Sequence, residues 1–88
     1  MMSDDIEQKL EQSKALLDMI ARDQAVPKNI RRAAKDARMQ LEVKKGTAGM
    51  KCANAISILD EASQDPNSPM HARTKMWQVV SILETVKD

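Results

Sequence analysis

Apolar and small residues recur along this chain at intervals of three and four, and the recurrence is interrupted three times. Ile6, Leu10, Ser13, Leu17, Ile20 and Ala21 share one face of a first helix predicted over residues 3–22. Ile30, Ala34, Ala37 and Leu41 mark a second over 27–45, and Ala48, Cys52, Ala55, Leu59 and Ala62 a third over 47–64. Ile56 and Ile58 widen that third arc, which should make it the most buried helix. Ala72, Met76, Val79, Val80, Leu83 and Val86 mark a fourth over 69–87. End signals agree with these spans. Ser3 is placed to cap the first helix, with Asp4 and Asp5 at its positive end, and Thr47 to cap the third. Ser68 is placed to cap the fourth, with Pro69 as its first residue, and the second runs out toward Lys44, Lys45 and Gly46. The connections between these helices are short, as they are between antiparallel neighbours. The expected fold is all-α: one domain over residues 1–88, an antiparallel four-helix bundle.

A period of 42 residues runs through this pattern. Leu16 to Asp18 is answered by Ile58 to Asp60, Asp23 by Asp65, Pro27 by Pro69, Arg31 by Arg73, Leu41 by Leu83 and Glu42 by Glu84. The bundle therefore reads as two repeated helical hairpins, each burying its apolar stripe against the other. Because Asp23, Pro27, Arg31, Asp65, Pro69 and Arg73 recur, they are expected to build the turns. Arg31 and Arg73 sit one turn into their helices. From there each guanidinium can reach back to the aspartate or to free carbonyls at the end of the preceding helix.

Composition narrows the class. With 88 residues and a net charge of +1, the chain is neither an acidic disordered segment nor a globally basic one, and its core is small enough for association to matter. Alanines along the second and third helices permit close packing, and the seven methionines are expected to fill gaps around that seam. The single cysteine, Cys52, falls on an apolar face, where a small buried thiol is common and inert. It cannot form an internal disulfide, which suits a reducing, cytoplasmic setting. No apolar run reaches the ~20 residues of a membrane span. Asp4, Asp5 and Glu7 stand where a signal peptide carries positive charge.

The stretches Pro27 to Ala34 and Asp65 to Thr74 occur with Ala55 to Asp60 ahead of the second, and with Trp77 and Ser81 to Glu84 behind it. Together they resemble a family of small archaeal helical proteins described only as uncharacterised. The resemblance extends from Leu17 to Glu84 and implies a compact, soluble, all-helical cytoplasmic protein. It transfers no catalytic residue.

Little in the chain points to catalysis. His71 has Thr74 and Lys75 at the positions where a metal or proton-transfer partner would sit, and reads as an exposed or capping side chain. Gly46 and Gly49 are the only glycines, so no phosphate loop is present, and the CxxC, HExxH and GxSxG signatures are missing. No enzyme activity, metal or cofactor is expected. Two surfaces remain as leads. Residues 24–45 carry a net charge of +5, with Lys28, Arg31, Lys35 and Arg38 in one i+3/i+4 stripe and Arg32 beside it. Lys28, Arg32, Lys35 and Arg38 are the candidate nucleic-acid contacts. The acidic first helix is a competing neighbour for that charge. Leu16, Met19, Met70, Trp77 and Ile82 exceed what the core stripes need, and they are the candidate interface for a protein partner or a homodimer. The expected function is a helical interaction module, with nucleic-acid binding through the basic second helix as the alternative.

Overall fold

The structure, a computed structural model, describes residues 2–87, with the side chains of Asp5 to Lys87. Its four helices are α1 (Met2–Arg22), α2 (Lys28–Glu42), α3 (Ala48–Ser63) and α4 (Met70–Glu84). Successive helices pack side by side, and α4 closes the ring against α1. The described residues form an all-α bundle extending 38 × 19 × 17 Å.

The core follows the stripes. Leu17 and Ile20 of α1, Ile30, Ala34, Ala37 and Leu41 of α2, Cys52, Ala55, Leu59 and Ala62 of α3, and Ala72, Met76, Val79 and Leu83 of α4 are all buried. Large and small side chains trade places across the repeat: Ile20 against Ala62, Ile30 against Ala72, Ala34 against Met76, Ala37 against Val79. One hairpin thus fills volume that the other leaves, and the two copies pack without being identical. At Ser13 the exchange is with Ala55, and the fully buried Ser13 hydroxyl has no hydrogen-bond partner among the described residues.

Several expectations about the helices need correcting. α2 stops at Glu42 because Val43 turns extended (φ −62°, ψ 132°), so Lys44 and Lys45 lie in the connection and not in the last turn. The chain then passes through Gly46 at φ +88°, a left-handed conformation that side chains resist. Thr47 caps α3 as expected, its hydroxyl accepting the Met50 N–H at 3.2 Å. α3 is no more buried than its neighbours, since α2, α3 and α4 each bury four residues. α4 ends at Glu84, where the Thr85 hydroxyl donates to the Ile82 carbonyl at 2.6 Å and Thr85 becomes the C-cap. Helix α1 already includes Ser3, which is therefore not its cap; the side chains of Ser3 and Asp4 lie outside the described residues.

Methionine is the largest departure. Met76 is buried, but Met19, Met39, Met50 and Met70 are exposed and do not fill the alanine seam. An unbranched thioether is tolerated in water as well as in a core, and the side chains of Met1 and Met2 lie outside the described residues.

Candidate interaction surfaces

The two proline turns are built alike. Asp23 Oδ1 accepts the Ala25 N–H at 2.9 Å, and Asp65 Oδ1 accepts the Asn67 N–H at 2.8 Å. The Asp23 carbonyl accepts the Val26 N–H at 3.1 Å and the Asp65 carbonyl the Ser68 N–H at 3.0 Å. A residue that precedes proline is held extended, and Val26 and Ser68 both point their side chains inward and are buried. Pro27 and Pro69 (ψ 151° in both) are themselves the N-caps of α2 and α4. Their carbonyls accept the Arg31 and Arg73 N–H groups at 3.0 and 2.9 Å. Ser68 is thus not the cap of α4: its hydroxyl is buried and makes no cap hydrogen bond.

The second oxygen of each aspartate crosses to the other hairpin. Asp23 Oδ2 lies 2.8 Å from His71 Nε2, and Asp65 Oδ2 accepts from Asn29 Nδ2 at 2.7 Å. Asn29 and His71 are themselves 42 residues apart, so the same cross-link is made twice with different chemistry. The sequence reading missed both side chains as partners, although the repeat places them at one position. His71 is exposed, as expected, yet engaged.

The Asp23 carboxyl is held below its ordinary value, first by the Ala25 N–H and then by the His71 side chain. Its contribution to stability is therefore complete above the unfolded-state value of ~4 and is lost as pH falls through the lower folded-state value. Asp23→Asn keeps an acceptor for Ala25 without the charge. In denaturant titrations the stability gap between wild type and this variant is expected to be open at pH 6 and to narrow toward pH 3. A gap of constant size would show that ionisation of Asp23 is irrelevant to the turn.

The arginines divide. Arg73 Nη2 donates to the Asp65 carbonyl at 3.1 Å, so it reaches the backbone and not the carboxylate. Arg31 makes no such bond among the described residues, and the Nε of both arginines is enclosed without a partner. Arg31 instead lines a concavity of about 160 Å³ with Lys28, Arg32 and Lys35. Arg38 leaves the expected basic ridge. Its Nε lies 2.8 Å from Asp18 Oδ1 and its Nη1 pairs with Glu42, which ties α2 to α1. Asp18 and Asp60 therefore do not share a role, because the repeat position of Arg38 is Val80.

The apolar candidates also separate. Leu16 and Ile82 face each other across a groove of about 420 Å³ between α1 and α4, with Gln12, Gln78 and Ser81. Met70 and Trp77, seven residues apart, lie on the outward side of α4 next to Ser81 and away from Ile82, and are 64% and 51% exposed. Met19 is exposed on α1. A groove of about 550 Å³ between α2 and α3, floored by Ile30, Ala33, Ile58 and Ala62 and edged by Arg32, Asp36 and Glu61, was not foreseen. It occupies the repeat position of the α1–α4 groove, Ile58 standing where the other carries Leu16. Among the described residues no three His, Cys, Asp or Glu side chains are grouped to hold a metal, and no helix is long and apolar enough to cross a membrane.

The profile described as Uncharacterised protein family (UPF0147) matches residues 1–86 of the chain. A UPF0147 protein of Desulfurococcus amylolyticus is 52% identical over 84 residues, which cover 96% of this chain and 92% of that protein. One from Saccharolobus solfataricus is 54% identical over 84 residues, covering 96% and 94%. Two crystal structures are similar throughout. The unknown-function protein MMP1188 is 42% identical with a TM-score of 0.88, covering 91% of each chain. A protein of the uncharacterized family UPF0147 from Thermoplasma acidophilum is 36% identical with a TM-score of 0.85, covering 93% of this chain and 98% of its own.

Proposed function

The chain belongs to the uncharacterised protein family UPF0147, whose description assigns no activity, and we propose from the geometry that it is a non-enzymatic, cytoplasmic interaction module. It engages a protein surface, its own or another's, through the outer face of α4. One observation carries this reading: the only aromatic residue of the chain, Trp77, is half exposed on a helix face that also presents Met70. A large amphipathic ring beside a flexible thioether is the composition of an anchoring contact, and neither side chain is needed to complete the core.

The test uses Trp77 as its own reporter. If the chain self-associates through this face, tryptophan emission moves to shorter wavelength as concentration rises from micromolar to millimolar. Sedimentation mass rises with it, and Trp77→Gln abolishes the change. If the partner is another protein, a photo-crosslinker at Ser81, one turn from Trp77, gives an adduct in cells that Trp77→Gln removes. A monomer with unshifted emission and no Trp77-dependent adduct would overturn the proposal.

A second reading, nucleic-acid contact through α2, is favoured by a separate observation. Lys28, Arg32 and Lys35 are exposed and belong to no ion pair among the described residues.

A further inference from the structure

The internal repeat supplies a control for the basic patch on α2. Positions 28, 31, 32 and 35 correspond to 70, 73, 74 and 77, where the second copy carries Met70, Arg73, Thr74 and Trp77. Only the arginine is common to both. The fold therefore accepts neutral side chains at the other three positions, and Lys28, Arg32 and Lys35 are cations that the architecture does not require. The shared arginine differs as well. The Nε of both arginines is enclosed without a partner, but Arg73 Nη2 donates to the Asp65 carbonyl, whereas the Arg31 side chain makes no hydrogen bond among the described residues. Four guanidinium and ammonium groups thus border one small concavity at the start of α2, and the next cation along the helix, Arg38, is already held by Asp18 and Glu42.

We infer that Lys28, Arg31, Arg32 and Lys35 form a phosphate grip for the backbone of double-stranded nucleic acid. This deepens the second reading above and rests on it. The occupant follows from size and from chemistry. At about 160 Å³ the concavity is below the range of sites that enclose a small molecule, so a whole nucleotide does not fit, but phosphate oxygens do. From Lys28 to Lys35 the cations run two helical turns, ~10 Å, which is long enough to meet successive phosphates of one strand. Single strands are ordinarily held by stacking on aromatic rings, and the ring at the repeat position of Lys35, Trp77, lies on the other hairpin. The grip therefore reads backbone charge without base sequence. The net charge of +1 makes it a local feature rather than a property of the whole surface.

Fluorescence anisotropy with the full chain tests the inference, using short labelled RNA and DNA duplexes and one labelled single strand, with ATP and inorganic phosphate as competitors. Duplex affinity is expected to fall roughly 40- to 150-fold between ~50 and ~200 mM KCl, the loss for three to four neutralised phosphates. Lys28→Gln/Lys35→Gln should flatten that salt dependence by about two phosphates and leave the helical circular dichroism unchanged. The charge-matched control Lys44→Gln/Lys45→Gln, in the α2–α3 connection, should bind like wild type. RNA against DNA duplexes decides which backbone is preferred; preference for the single strand overturns the assignment to duplexes. Competition by ATP or phosphate at concentrations near those of the probe would mean an isolated anion site and overturn the polymer as ligand. If duplexes bind but both double variants behave alike, nucleic-acid binding stands while the grip is wrong. If no duplex is retained at ~50 mM salt, the second reading and the grip fall together.

Discussion

Leu59→Ala is expected to lower the unfolding free energy by about 3 kcal/mol, because a fully buried leucine truncated to alanine loses its transfer energy and leaves a cavity. Leu17→Ala, at the repeat position and equally buried, should cost a similar amount. For a domain of this length the whole stability is roughly 4–13 kcal/mol, so either change removes a large share of it. The thermal midpoint should drop by roughly 12–24 °C, and by clearly less for the half-buried Leu16→Ala. Circular dichroism melts decide the matter. A loss under ~1 kcal/mol at Leu59 would mean that the alanine-rich helices collapse into the space, and that packing here is softer than the burial implies.

Arg73→Ala is expected to cost about 1–3 kcal/mol, the range for removing a charged donor from a partly buried carbonyl. Arg31→Ala should cost less than ~1 kcal/mol, since it gives up the packing of its stem but no hydrogen bond to the turn. The comparison is the informative part, because the two arginines stand at the same place in two copies of one turn. Equal losses would show that both hold their turns alike. Arg31 would then be structural and unavailable to a ligand, and the grip would be reduced to three lysine and arginine side chains.

The bundle was legible because burial on a helix repeats every three to four residues. Ile30, Ala34, Ala37 and Leu41 were marked by that spacing alone, and all four are buried. The 42-residue period located the turns, since proline and aspartate have local effects that survive any change in their surroundings. What escaped depends on partners distant in the chain. No spacing rule announces that Asn29 and His71 reach the aspartates of opposite hairpins, or that Arg38 is claimed by Asp18. Val26 escaped for another reason. It lies between helices, where helical periodicity says nothing, and only its place one residue before proline hinted that it would be held extended and turned inward. Methionine misled because its flexible side chain is tolerated in either environment, so composition alone could not place it.

The crossed aspartates also bear on how the molecule comes apart. Each turn draws one of its carboxylate contacts from a side chain 36 or 48 residues away, so neither turn is fully bonded until both hairpins have docked. Partial unfolding of one half strips a contact from the other, and a state with one intact hairpin and one melted hairpin gains little for the order it keeps. The sequence is duplicated, but the unit that folds is the pair, and amide exchange at the two turns should report one shared opening rather than two local ones.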